Sequence, residues 1–362
     1  MNLHLLLIGN KFIYNKSLKE YVIRKVEEKC DFINSLTHFK ESDNSLFLYL
    51  DQELNSSDKL VIVTTKDNFA TVGKLISTIT SDNQVLKDNM LIPSNATMHE
   101  KGSYLLEHKD SKTNVISMDE MMKMPEILLS SEKNRETLNV FDEDKESAIA
   151  LLSSIAQMHD VTLKLITIVE GWLRIEVESN KYGNISNFIH SAKQLLPKKL
   201  IAASNVIEHI IEALSANNKK VSFAESCTGG LLSYYFTSHN GASKILDGSL
   251  ITYSNDLKDN WLAVEHNTLE EFGAVSTQVV EQMSDGAMNV SHADYTISIS
   301  GIAGDTGGTE LKPVGTVYIG VRTQTSNTEL HFQLEGDRNY VQHQSALYAI
   351  KMLVTIDKDI FF

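Results

Sequence analysis

Glycine divides this chain more sharply than any other residue. Of its 18 glycines, 13 fall between Gly229 and Gly336. Glycine is needed where the backbone takes a positive φ or comes close to a ligand, so a site built from tight loops belongs to the second part of the chain. At 362 residues the chain exceeds one ordinary domain and implies two or three. Apolar residues make up 42%, enough for sizeable cores. The net charge is -14, and no Lys/Arg cluster is long enough for a basic stripe, so no nucleic-acid partner is expected. Cys30 and Cys227 are far apart without CxxC spacing, which argues against a zinc site or a disulfide framework. The opening MNLHLLLIGNKF has neither a basic leader nor a small-residue cleavage site and reads as a buried strand. No stretch reaches bilayer length. The expectation is a soluble cytoplasmic protein with no membrane partner and no cofactor.

Alternating strands and helices through residues 1–130 imply a parallel α/β sheet, with strands at LHLLLIG and KLVIVTT and helices through Leu18–Val26 and from about Ala70. The charged run at 131–146 reads as a linker. Residues 147–203 read as a small α+β unit. VTLKLITI turns at Glu170-Gly171 into an alternating strand (Leu173, Ile175, Val177), and a helix carrying Ile185, Phe188 and Ala192 follows. From 204 to 362 a third, α/β domain is expected. Asn205 caps a helix with Glu208 three residues on, and strands fall at VSFAE, SLITYS, YTISIS and TVYIGVR. Helices are expected after Gly230, Ser254, Ser276 and Asp337.

Five pieces of this last domain are suited to a ligand. AESCTGG (Ala224 to Gly230) lies between strand and helix, where open backbone N–H groups favour an anion; a well-capped turn explains it equally. GASKIL carries Ser243, and a lone serine is most often a surface hydroxyl or a cap. TYSNDLK places Tyr253 at a strand end and Lys258 in the first helical turn. There the macrodipole and desolvation both favour a neutral amine, as a general base requires; a solvated lysine is the plainer reading. SGIAGDTGG (Ser300 to Gly308) is a glycine-rich loop past a strand, without dinucleotide-binding spacing. KPVGTV returns the chain to a strand, and Arg338 opens the last helix, where it suits a phosphate or a sheet edge.

In order and spacing, AESCTGG, GASKIL-DGSLITYSNDLK, FGAVS, SISGIAGDTGGTELKPVGTV and EGDR resemble the C-terminal domain of the CinA family, also known alone as PncC. Members with an assigned activity are nicotinamide mononucleotide (NMN) amidohydrolases, which release ammonia and nicotinate mononucleotide in pyridine-nucleotide recycling. The resemblance implies Ser243 as nucleophile, Lys258 as its base and Tyr253 as a positioning or relay group. It leaves Glu225, Ser226, Cys227, Thr228, Gly229, Gly230, Gly301, Gly304, Asp305 and Arg338 for substrate binding. The helix start in AESCTGG and Arg338 are the expected phosphate contacts. Asp305 stands where the family usually has proline. A homo-oligomer is also implied.

The first two segments resemble a degenerate N-terminal half of the same family, a MoeA/MogA-like (MoCF) domain with a small KH-like unit. In some members that half is a metal-dependent ADP-ribose pyrophosphatase. Here Asn10 replaces the aspartate of a GDE-type motif, and VTTKDNFAT has lost the glycines and paired aspartates. No metal site is therefore expected. The KH-like unit has no GxxG loop, against RNA binding. Two rival readings remain: a non-catalytic, competence-associated nucleotide-binding scaffold, and ADP-ribose hydrolysis by the first half.

Overall fold

The LHLLLI run of β1 (Leu3–Ile8) is buried at five of its six residues, as a strand covered on both faces requires. The computed structural model describes residues 2–30, 32–56, 58–130, 135–304 and 306–362. They fall into two compact units, Met1–Lys133 and Asn134–Phe362. In the first, β1 leads through α1 (Asn10–Tyr14) and α2 (Lys16–Cys30) to β2 (Ser35–Phe39), then α3 (Leu46–Leu54), β3 (Lys59–Thr64) and α4 (Lys66–Ile79). A small hairpin follows, β4 (Gln84–Lys87) and β5 (Met90–Pro93), then β6 (Met98–Glu100), β7 (Ser103–His108) and β8 (Ser111–Ser117). The sheet order is β2-β1-β3-β8-β7-β6. Strands β2, β1, β3 and β8 run parallel, while β7 and β6 are antiparallel. Successive side chains point to opposite faces. Leu5, Leu7, Val61 and Val63 therefore meet α2 on one side, and Leu6, Ile8, Leu60 and Ile62 meet α3 and α4 on the other. Helix α4 starts at Lys66, ahead of the expected Ala70, because extended Thr65 already supplies the N-cap geometry.

The second unit corrects the expected linker. Residues 135–141 form β9 (Arg135–Phe141), an inner strand. After it come α5 (Lys145–Met158), the hairpin β10 (Val161–Val169) and β11 (Trp172–Ser179), α6 (Ile185–Leu195) and β12 (Leu200–Ile201). The sheet runs β10-β11-β9-β12. Leu138 and Val140 of β9 face α5 and α6 with Leu173, Ile175 and Val177. The two charged residues of β9, Arg135 and Glu136, stand together at its start, where Arg135 pairs with Glu178 of β11, so the charged run covers only the first two residues of a strand whose other five are buried.

The remaining elements are α7 (Val206–Ala216), β13 (Val221–Glu225), α8 (Leu231–Thr237), β14 (Leu246–Ile251), α9 (Asn255–Leu262), α10 (His266–Phe272), α11 (Thr277–Ser291), β15 (Tyr295–Gly301), β16 (Thr316–Thr323), β17 (Asn327–Gln333), α12 (Arg338–Ile356) and α13 (Lys358–Phe361). Their sheet order is β14-β13-β15-β16-β17. β14, β13 and β15 are parallel, and β16 and β17 continue antiparallel. Ile207, Leu232 and Val341 of α7, α8 and α12 pack in the core on one face of this sheet, and Val279 and Met283 of α11 on the other. Phe141 and Trp172 of the small sheet enter that first core beside Ile201 and Phe361. The strand order reverses at β13, and the loops leaving β13, β14 and β15 gather at one carboxyl edge, where open α/β sheets bind ligands.

Candidate active site

Three strand ends converge on a cleft of about 250 Å³ at that edge. Ser226 and Cys227 come from the end of β13, Tyr253 and Lys258 follow β14, and the Gly301–Gly304 loop follows β15. Arg338 closes it from the start of α12.

Lys258 sits in the first turn of α9, where Ser254 accepts the Leu257 N–H as N-cap. Only 1% of it is exposed, extreme for a lysine. Its Nζ lies 3.1 Å from Ser226 Oγ and donates to the carbonyl oxygens of Thr252 at 2.8 Å and Tyr253 at 3.4 Å. Burial lowers its pKa from 10.5 to about 8, so a substantial neutral fraction exists near neutral pH. The serine is fixed as well. Its N–H donates to Ile299 O at 2.9 Å, extending the β13–β15 ladder. Gln342 on α12 holds the next carbonyl, donating to Cys227 O at 2.7 Å. Burial pushes the Cys227 thiol up to about 12, so it stays protonated and is a poor nucleophile.

Arg338 donates through Nη2 to the Tyr253 hydroxyl at 2.6 Å. Its guanidinium lies along the glycine loop so closely that a Cβ at Gly304 would come within 2.8 Å of Nη1. Gly301 likewise has no room for a side chain between Thr316 O and Cys227 Sγ. Tyr253 is 58% exposed, at the rim.

Two expectations are corrected by this geometry. Ser243 does not meet Lys258. It is exposed, in a 3-10 turn at the amino end of β14, where Ile245 O accepts the Val221 N–H. The six residues of β14 lie between that turn and the lysine's loop, a span of about 20 Å at roughly 3.3 Å per residue. The hydroxyl beside the amine is that of Ser226. The signal for it was positional: the residues just past two adjacent parallel strands meet, and Ser226 and the loop leading to Lys258 occupy those places.

The second correction concerns the helix start in AESCTGG. Glu225 Oε2 accepts the N–H groups of Gly230 at 3.0 Å and Leu232 at 3.0 Å, and Oε1 accepts that of Ser233 at 2.9 Å. These amides are committed to an internal carboxylate and are not open to a phosphate. Glu225, Thr228, Gly229 and Gly230 accordingly do not line the cleft, whereas Ser226, Cys227, Gly301, Gly304 and Arg338 do. Gly229 and Gly230 serve the turn instead, with φ of +60 and +100. Asp305 lies outside the described residues. The sequence reading also passed over Ala274, Val275 and Ile302, which supply the apolar wall.

In the first unit, Asn10 lies just past β1 and Lys11 donates to Asp119 at 2.9 Å and Glu120 at 2.7 Å. The two acids hold its pKa well above the ordinary lysine value. Among the described residues no group of three His, Cys, Asp or Glu side chains could hold a metal ion. No helix among them is long and apolar enough to cross a membrane.

Fold and site together define an α/β domain with a buried lysine hydrogen-bonded to a serine at the carboxyl edge of a parallel sheet. Residues 203–356 match the CinA C-terminal domain. It is similar to a CinA-like protein of Fervidobacterium nodosum, 44% identical over 144 residues, 40% of this chain and 35% of that protein. A CinA-like protein of Thermotoga neapolitana is 42% identical over 146 residues, 40% of this chain and 36% of that one. The match thus spans about a third of the length of these relatives. Among solved structures, a competence/damage inducible protein, CihA, from Agrobacterium tumefaciens is 35% identical, covering 42% of this chain and 93% of that one with a TM-score of 0.40.

Proposed function

We propose that the CinA-type domain of this chain is an amidohydrolase that converts NMN to nicotinate mononucleotide and ammonia, with Ser226 as nucleophile and Lys258 as general base. The observation that carries the reading is the 3.1 Å approach of a desolvated amine to a serine hydroxyl inside a cleft. A serine hydroxyl is a weak nucleophile until an adjacent base takes its proton. Neutral Lys258 takes it as Ser226 Oγ bonds to the carboxamide carbon. The lysine then protonates the departing nitrogen, which leaves as ammonia, and an ester to Ser226 remains. Water attacks that ester, again giving a proton to the amine, and the serine is released with the carboxylate product. Because the Ser226 N–H is spent in the sheet, the amide that follows, of Cys227 at the cleft wall, is the candidate for stabilising the oxyanion. Arg338 takes the 5'-phosphate in place of the occupied helix start, and its bond to Tyr253 ties that contact to the lysine's loop.

The first unit takes no part in this chemistry. Asp119 and Glu120 are both engaged by Lys11, which supports the view that it does not hydrolyse ADP-ribose. The test is ammonia release from NMN followed across pH. The rate should climb with pH through a midpoint near 8, the value of the Lys258 amine, and Lys258→Met should remove it. A profile flat from pH 6 to 10, or an active Lys258→Met protein, contradicts the mechanism.

A further inference from the structure

The most deeply buried acid of the second unit is not used by this mechanism. Glu225 is 0% exposed. Beyond the three amides already described, its Oε1 accepts the hydroxyls of Ser233 and of Ser249, the latter at 3.3 Å. All five partners are neutral N–H or O–H donors, the set that a two-oxygen acceptor satisfies and a side-chain amide does not. We propose that Glu225 is the positioning residue for Ser226, its carboxylate holding closed the turn on which the hydroxyl stands. This deepens the amidohydrolase reading and rests on it for the role of Ser226.

The argument is one of bracketing. The carboxylate lies one residue before Ser226, and the amides it holds begin four residues after, at Gly230. Residues 226–229 form a loop pinned at both ends. It leads out through two consecutive left-handed glycines, Gly229 and Gly230, whose backbone freedom lets the chain turn but does not itself hold the turn in place. Ser249 extends the anchor to β14, the strand whose carboxyl end leads to Lys258. One carboxylate thus ties the turn bearing the serine to the strand delivering the lysine. A displacement of about 1 Å between such groups is enough to cost roughly 100-fold in rate. The same bonds keep the α8 amides from an anionic ligand, which leaves Arg338 as the cationic group for the phosphate.

The experiment uses the full chain and a fluorophosphonate probe, so that Ser226 reactivity is read without NMN. The serine oxygen bonds to phosphorus, fluoride leaves, and Lys258 accepts the proton. The wild-type chain should be labelled at Ser226 and the Ser226→Ala chain should not. Glu225→Gln, the same size but facing donors with an NH2 group, should label about 10- to 100-fold more slowly. On NMN it should lose kcat by a like factor with KM within about twofold, a split that general loosening of the fold would not give. If Glu225→Gln does not fold, Ser249→Ala removes one donor without touching the turn and should slow labelling about threefold. Labelling at the wild-type rate by Glu225→Gln, or by Ser249→Ala where the first cannot be made, overturns the proposal. Labelling of the wild-type chain without ammonia release from NMN removes the substrate assignment and leaves the positioning role standing. No labelling of the wild-type chain removes both.

Discussion

Lys258 is the residue on which sequence and structure agree most closely, and it carries a measurable cost. The TYSNDLK spacing put it in the first turn of a helix, against the macrodipole. The structure adds burial, which takes its pKa from 10.5 to about 8. The sign of the linkage follows. Between these values the unfolded chain binds more protons than the folded one, so stability rises with pH across that window. Below pH 8 the full cost is present, about 3 kcal/mol at roughly 1.4 kcal/mol per pKa unit, less what the hydrogen bonds to Thr252 and Tyr253 return. Lys258→Met should therefore be inactive yet more stable at pH 7 by about 1–3 kcal/mol, an advantage that shrinks above pH 8. Denaturant titrations at pH 7 and pH 10 check this, and equal or lower stability of the variant at pH 7 contradicts it. Ser226 was less legible. The sequence reading gave the nucleophile's role to Ser243 and left Ser226 to substrate binding, and the parallel register of β13 and β14 is what shows which edge each occupies.

At the scale of elements, strong periodicity and caps were readable and their partners were not. The hairpin of β10 and β11, the helix capped by Asn205, and four strands of the five-stranded sheet, β13 to β16, fall where alternation and capping residues put them. β9 was hidden by the charged residues at and around its start, and β17, with exposed Thr328 and His331 at the sheet edge, has no apolar run to announce it. Glu225 shows the same gap. A small polar turn before a helix suggests an anion site, but only coordinates reveal that the preceding residue already fills it. Gly286 on α11 is a further case. A Cβ there would sit 2.0 Å from Leu262 O at the end of α9. Gly286→Ala should push apart the two helices, one of which carries Lys258, and destabilise the chain by about 2 kcal/mol or more despite the better helix propensity of alanine. Thermal unfolding checks this, and an unchanged or higher Tm would show that the two helices are free to separate.

For the whole molecule, the two compact units have cores that share no residue. The small sheet at 135–201, by contrast, shares one with the CinA-type domain through Phe141 and Trp172, whose rings stack at 5.2 Å. Trp172 Nε1 also donates to Asn139 at 3.0 Å. Calorimetry should resolve two transitions, not the three that a separate small domain implies. Trp172→Ala should lower only the transition of residues 134–362, by about 3–5 kcal/mol. A third transition, or a Trp172→Ala effect on both, contradicts this division. The sequence reading expected three parts; that residues 134–362 melt as one depends on aromatic contacts between residues far apart in the chain.

The central claim is that the reactive hydroxyl belongs to Ser226. Ammonia release from NMN by Ser226→Ala and Ser243→Ala, measured side by side at pH 9, tests it most directly. The account predicts at least a ~1,000-fold loss in the first and a rate within about twofold of wild type in the second, whose side chain lies in an exposed turn. An active Ser226→Ala protein, or loss of activity only in Ser243→Ala, contradicts it.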